Sequence, residues 1–310
     1  MTTATTRLAP SPTGALHLGN ARTFLVNWAL AKQRGWRVIL RIEDIDHPRV
    51  KPDTIDTTRD ELHWLGVHWD EEVALQSTQL KSCHDALNTL GHKGMIYPCD
   101  RTRAELAASA PNEGDQQVIA RASDRPACAG DIVASPERDR TWRLCVPPGL
   151  VHVHDECTGN HHIDVAADCG DFAVWTRRNV PAYQLAVAVD DARQGVTDVV
   201  RGDDLLPSAA RQQLVLECLG LPVPRWWHLP LLRGPDGRRL AKRHGDSRIA
   251  RWCAGRSPER LIAFLARISG LPDAPDTMTA SQFAEAFDVA RLPKEDVIIT
   301  EAHLAWLDEH

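Results

Sequence analysis

The apolar positions over the first hundred residues change period in an orderly way. Residues 5–9 form a short extended run, and Pro10-Ser11-Pro12-Thr13-Gly14 then interrupts any regular element. From about Asn20 the apolar Phe24, Leu25, Trp28 and Ala31 recur at helical spacing, and Gly35 offers a stop. Val38 to Ile42 is a continuous apolar run, which suits a strand covered on both faces. Strand, helix and strand in that order predict a βαβ unit and hence a parallel sheet. Helices are predicted over 53–65, ending at Gly66, and over about 78–92.

Residues 99–171 break this rhythm with scattered prolines, polar stretches and no helical period after about Ala108. They read as an inserted, smaller domain of irregular and mainly β structure. Parallel-sheet elements are predicted to resume at 183–190 and 196–201, followed by a helix over about 207–219 and a strand through 227–232. Ser257-Pro258-Glu259 reads as an N-cap with proline at the first helical position, opening a helix to about Ile268. The predicted fold is therefore α/β, with a Rossmann-like parallel sheet built from 1–98 and 172–256. Residues 99–171 are inserted into it, and a short helical segment at 257–310 closes the chain. No internal repeat is present.

Composition narrows the classes. A chain of 310 residues with 43% apolar and 25% charged positions is too apolar for wholesale disorder and too large to need a disulfide scaffold. No run reaches the length of a membrane span, and residues 1–6 lack an apolar signal core, so a cytoplasmic protein with no membrane partner is expected. The eight cysteines include no Cys-x-x-Cys pair and are expected to be mostly buried thiols. The net charge of −6 hides a local asymmetry. Residues 41–72 hold ten acids against four bases, whereas 233–267 hold nine Arg and one Lys against three acids. Such a basic stretch is either a solvated face or a stripe that meets polyphosphate or RNA.

Four clusters of reactive residues each follow a predicted strand. Arg7-Leu8-Ala9-Pro10-Ser11-Pro12-Thr13-Gly14, with Leu16-His17-Leu18-Gly19-Asn20, ends a strand and opens a helix, where backbone N–H groups and the helix dipole can face an anion. In this loop His17 and Asn20 can reach phosphate oxygens, and Gly19 lets a flat ring approach. Arg41-Ile42-Glu43-Asp44-Ile45-Asp46 places acids at the end of the second strand, suited to a metal or an ammonium group, or to solvent. Val199-Val200-Arg201-Gly202-Asp203-Asp204 offers an Arg fork for a carboxylate or an internal ion pair, with Tyr183 one element earlier. Arg239-Leu240-Ala241-Lys242-Arg243 supplies cations that could clamp a polyphosphate as charge builds on it. The first cluster lies in the first strand-to-helix turn, where doubly wound sheets bind nucleotides.

In this order the four clusters resemble the catalytic domain of the class I aminoacyl-tRNA synthetases of the glutamyl type. His17-Leu18-Gly19-Asn20 is similar to the HIGH signature and Arg239-Leu240-Ala241-Lys242-Arg243 to the KMSKS signature. Ala241 stands where the second signature has Ser, removing one hydroxyl. The resemblance is nearest to the short branch, the glutamyl-Q tRNA(Asp) synthetases, because only 67 residues follow Arg243 and a helical anticodon-binding module is not expected in them. It implies ATP-dependent activation of L-glutamate with Mg²⁺ and without tRNA, then transfer to queuosine in the anticodon of tRNA(Asp). It also implies that Arg7 and Ser11 contact glutamate and that Leu8, Ala9, Pro10 and Tyr183 surround it. Glu43 would take the α-ammonium, and Arg201 would hold the substrate. His17, Gly19, Asn20, Lys242 and Arg243 would bind ATP, with His17 and Lys242 catalytic and Lys242 stabilising charge at the α-phosphate.

Many short relatives carry Cys-x-Cys and Tyr-x-x-x-Cys in the insertion. Here these read Cys99-Asp100-Arg101 and Asp124-Arg125-Pro126-Ala127-Cys128. Cys99, Asp124 and Cys128 fall short of a closed tetrahedral site, so no structural zinc and no other bound metal is expected. The expected enzyme is a monomeric ligase. Its rivals are a trimmed synthetase charging a tRNA 3′ end, an inactive relative that binds RNA or amino acid as a regulator, and a small-molecule adenylyltransferase.

Overall fold

A computed structural model of the chain describes residues 3–12, 16–45, 50, 52–100, 120, 122–238, 240, 248–253 and 255–309. The first half runs β1 (Thr5–Leu8), α1 (Leu18–Arg34), β2 (Arg37–Leu40), α2 (Pro52–Trp64), β3 (Glu71–Glu72), α3 (Lys81–His92) and β4 (Ile96–Pro98). It continues through β5 (Trp142–Leu144), β6 (Val151–Asp155), β7 (Gly159–Ile163), α4 (Val165–Asp168) and β8 (Ala173–Trp175). The remainder is α5 (Tyr183–Arg193), β9 (Asp198–Gly202), α6 (Leu206–Leu219), β10 (Arg225–Leu229) and β11 (Leu232–Arg233). It ends with α7 (Ala250–Cys253), α8 (Glu259–Arg267), α9 (Ala280–Ala286), β12 (Val297–Ile298) and α10 (Glu301–Asp308).

The main sheet has strand order β3-β2-β1-β9-β10-β6-β7, parallel throughout except for the β6–β7 hairpin at one edge. Two apolar cores flank it. Leu40, Val200 and Trp227 join one, with α1, α8 and α9, while their strand neighbours Ile39, Val199 and Trp226 join the other, with α3, α5 and α6. Adjacent residues of a strand point to opposite faces, so this alternation sets helices on both sides of the sheet, as the predicted α/β class requires. The helix predicted from Phe24, Leu25, Trp28 and Ala31 is α1, closed by Gly35 in the left-handed conformation at φ 65°.

Two expectations are corrected. Residues 183–190, read as a strand, form most of α5, in which Leu185 to Val189 are all buried. A segment covered on every side has no polar face, so its sequence carries neither a period of two nor one of 3.6. The expected insertion at 99–171 also does not match the sheets. Its hairpin β6–β7 hydrogen-bonds to β10 and extends the main sheet, whereas the separate three-stranded sheet β4-β5-β8 takes β4 and β8 from outside that range. A smaller shift occurs at α8, whose N-cap is Pro258 rather than Ser257.

The segment after α7 packs against the sheet domain. Gln33 of α1 donates to the carbonyls of Ala284 and Phe287 at 2.7 and 2.6 Å. Strand β12 pairs in parallel with β11, which precedes the cationic cluster at 239–243 in the chain.

Candidate active site

The parallel strands β1, β2 and β9 deliver three of the four clusters to the same end of the sheet. Local contacts set their registers. Asn27 of α1 accepts from Thr6 Oγ1 at 2.8 Å and donates to the Arg7 carbonyl at 2.9 Å, which ties the first helix to the first strand. The Glu43 amide donates to the Pro10 carbonyl at 3.0 Å, so the acid lies beside the first loop. Glu61 of α2 accepts from the Leu16 amide at 3.0 Å, and Asn20 accepts from the His17 amide at 3.3 Å, opening α1.

A cavity of about 560 Å³ lies between these elements. Its wall includes Arg7, Ala9, Pro10, Ser11 and Glu43 at one side and His17, Gly19 and Asn20 at the start of α1, with Tyr183 and Arg201 also lining it. Most of the residues expected from sequence thus converge. Leu8 does not reach the cavity, because its side chain is wholly buried in the core. Lys242 and Arg243 lie outside the described residues. Asp44, grouped with Glu43 by sequence, accepts from the amide and hydroxyl of Ser77 instead.

Two arginines of the site are treated oppositely by their surroundings. Arg41 is fully buried and donates to Asp191 at 2.6 Å, Gln194 at 2.9 Å and Glu43 at 3.0 Å. Burial alone would lower its pKa, but Asp191 and Glu43 outweigh that and push it up. Arg7 donates to the same Asp191 oxygen at 3.2 Å. Burial raises the Asp191 carboxyl, yet Arg41 and Arg7 together hold it below its usual range. For Glu43, burial wins over Arg41 and Arg7, and its carboxyl is raised.

Among the described residues Arg201 has no carboxylate partner. It donates to His228 Nε2 at 3.0 Å, Gln212 Oε1 at 2.8 Å and the Leu205 carbonyl at 3.2 Å, all neutral acceptors. Its guanidinium lies over the Trp226 ring at 5.0 Å, and it is only 5% exposed. Burial lowers its pKa to about 10. Three bonds leave donors of the five-donor fork for a ligand in the cavity. A buried cation whose bonded partners are all neutral is costly unless an anion joins it.

Sequence reasoning missed Asp191, Gln212, His228 and Asp155, which orient the arginines. Asp191 lies one residue beyond the segment whose pattern suggested a strand. The signal available was the pair Asp190-Asp191 closing an apolar run, since a carboxylate buried there needs a cation. In the insertion, Cys99 is buried and Cys128 exposed. Among the described residues no group of three His, Cys, Asp or Glu could hold a metal ion. Nor, among the described residues, is any helix long and apolar enough to cross a membrane.

Comparison with known proteins shows the family. The family model for class I tRNA synthetases (E and Q), catalytic domain, matches residues 3–306. The chain is 42% identical to a glutamyl-Q tRNA(Asp) synthetase of Symbiobacterium thermophilum, across 97% of both chains. It is 39% identical to another so named from Nocardia farcinica, across 95% of this chain and 93% of that one. It is 37% identical to a glutamate–tRNA ligase of Azorhizobium caulinodans, across 94% of this chain but 62% of the ligase. In three dimensions it is similar to a glutamate–tRNA synthetase of Elizabethkingia anophelis, with a TM-score of 0.79 and 23% identity, over 99% of this chain and 70% of that one. The chain belongs to the glutamyl- and glutaminyl-type class I tRNA synthetases.

Proposed function

We propose that this protein is a ligase that activates L-glutamate with ATP and transfers it to queuosine in the anticodon of tRNA(Asp). The observation that carries the first half is the buried Arg201, held by neutral partners, in one cavity with Glu43. That pairing suits a substrate bearing a carboxylate and an ammonium group. The second half rests on the relatives of that name that match along nearly the whole of both chains.

In the first step an oxygen of the glutamate α-carboxylate attacks the α-phosphorus of ATP, and pyrophosphate leaves. In the second, a hydroxyl of the modified base attacks the activated carbonyl, and AMP leaves. Arg201 would hold the side-chain carboxylate, Glu43 the ammonium group, and Arg7, Ser11 and Tyr183 the remaining walls. His17, Gly19 and Asn20 stand at the helix N-terminus, which favours phosphate oxygens. Magnesium would arrive with ATP, held by its phosphates. Lys242 and Arg243 would meet the charge that grows at the α-phosphate, so catalysis rests on positioning and charge stabilisation. The proposal includes a cytoplasmic monomer.

The test is glutamate-dependent pyrophosphate exchange without tRNA, followed by transfer to tRNA(Asp) with and without queuosine. Exchange without tRNA and transfer only to the queuosine-bearing tRNA are expected. Failure of exchange would refute the activation step, and charging of a tRNA 3′ end would replace the acceptor.

A further inference from the structure

Arg201 sits on β9, and besides Gln212 of α6 and the Leu205 carbonyl it is held at Nε from two other strands. Its Nε always carries a hydrogen, so His228 Nε2, 3.0 Å away, must be the acceptor and bear none. The ring proton is then on Nδ1, which donates to Asp155 Oδ2 at 2.6 Å. The His228 backbone amide donates to that same oxygen at 3.0 Å. Asp155 Oδ1 is tied in turn by the amides of Cys157 and Thr158 and the Thr158 hydroxyl, at 3.0, 2.9 and 2.9 Å. Asp155 and His228 are, like Arg201, deeply buried.

This chain has one consistent proton arrangement. Burial draws the His228 imidazole below its ordinary pKa despite the Asp155 bond, so the ring stays neutral. Asp155 is pushed up by burial but held lower overall by His228 and Thr158, so it stays an acceptor. A neutral ring with its proton on Nδ1 presents a lone pair to Arg201. The other tautomer would set an N–H against the Arg201 N–H. Asp155 thus selects the tautomer, and the tautomer selects the guanidinium orientation.

We propose that Asp155 and His228 are positioning residues that aim the Arg201 guanidinium into the cavity, and so set the affinity for the substrate carboxylate. The hairpin β6–β7, which carries Asp155 at the far side of the sheet, is then part of the site's support. The proposal rests on reading the cavity as the glutamate site.

The experiment compares Asp155→Asn, His228→Gln, His228→Leu and Arg201→Lys in pyrophosphate exchange, with Asp198→Asn as control. Asp198 is equally buried on β9 but binds Trp227 and Arg225, away from Arg201. Loss of the charge-assisted aim is expected to raise KM for glutamate about tenfold in Asp155→Asn and His228→Leu, with KM for ATP within about twofold. His228→Gln, whose amide oxygen can accept from Arg201, should stay near wild type, as should the control. Nitrogen NMR of the wild type should show the proton on His228 Nδ1 and its shift to Nε2 in Asp155→Asn.

If Arg201→Lys raises KM for glutamate but His228→Leu does not, the positioning role fails and the glutamate site stands. If Arg201→Lys leaves it unchanged, the glutamate site itself fails. Should Asp155→Asn not fold, the two His228 variants decide, because equal losses in both would overturn the proposal. A wild-type proton on Nε2 would overturn it as well.

Discussion

Arg41, Arg22 and Arg201 are all buried, and their surroundings separate support from recognition. Arg41 is matched by two carboxylates, and its charge is stabilised in the protein itself. Arg22 donates to Ser269 Oγ at 3.0 Å and the Pro230 carbonyl at 2.6 Å, and burial lowers its pKa to about 10. It joins α1 to the chain leading towards β11. Arg22 also lines the cavity and also has neutral partners, but the charges it feels are those of Asp203 and Asp296. Arg201 instead shares its surroundings with Tyr183 and Glu43, the acid proposed for the substrate ammonium, and is the one proposed for the ligand carboxylate. Replacing Arg201 by Gln should weaken glutamate binding by about 3 kcal/mol, roughly a hundredfold in KM, because a desolvated charge pair is lost. KM for ATP should change little, and an equal loss for both substrates would instead show a collapsed cavity. Glu43 gives a pH test. Its carboxyl is raised by burial, so as pH falls it protonates sooner than an ordinary Glu and loses its hold on an ammonium group. Accordingly kcat/KM for glutamate should decline on the acid side from above the usual carboxylate range. Glu43→Gln should be weaker at neutral pH and lack that decline. A decline retained in the variant would assign it to another group.

At the scale of elements, two short pieces do more than their lengths suggest. Strand β12 holds β11, and Asp296 just before it accepts from the Leu231 amide at 2.7 Å and pairs with Arg233. The chain passes from β11 straight into residues 234–247, which contain Lys242. Asp296→Asn should therefore lower the exchange rate about tenfold, through loss of one positioned donor–acceptor anchor, with KM for glutamate nearly unchanged. An unchanged rate would make this strand pair mere packing. The second piece joins β4, β5 and β8. Arg125 donates to both Asp171 oxygens at 2.7 Å, while Tyr97 and the Val146 amide donate at 2.9 and 2.8 Å. Asp171 is 1% exposed, so Arg125→Met would strand its charge and cost about 3 kcal/mol of stability. Chemical denaturation of the variant measures this. Chelator should leave the wild-type melting temperature unmoved if this ion pair, rather than zinc, ties the region. These pieces were poorly legible in sequence, since β11 and β12 are two residues each and give no period to read.

For the whole molecule, the basic stretch 233–267 is less open to solvent than its composition suggests. Arg233, Arg251, Arg260 and Arg267 are held by Asp296, Asp308, Glu309 and Asp276, all from the segment that follows. Arg260 and Arg267 also lie over the Trp306 ring at 4.1 and 4.6 Å. These four arginines act as clamps for the end of the chain. If all nine arginines of the stretch met phosphates, the slope of log affinity against log salt would be about −8. With at least these four occupied among the described residues, tRNA binding should show a slope clearly shallower than about −8. A measured slope near −8 would mean that the acidic residues release their partners when RNA binds.

The residue types and their order along the chain determined that strands end in Arg-, Glu- and Gly-bearing loops and that the sheet is parallel. Those features are local: a proline-rich break after a strand, a helical period after a loop, a glycine stop. Local pattern marked Arg7, Glu43, His17, Asn20 and Arg201 as candidates beside plainer structural readings, and the resemblance of the four clusters in order to a synthetase family gave them their expected roles. Tertiary structure decided what each charge meets. Arg41 and Asp191 are 150 residues apart, and His228 and Asp155 are 73 apart. Tertiary structure also made 183–190 a helix and sent β6–β7 to the main sheet. The physical reason is common to all of these. A buried charge or an all-apolar segment announces a need for partners, but only the assembled sheet sets which groups share its low-dielectric interior.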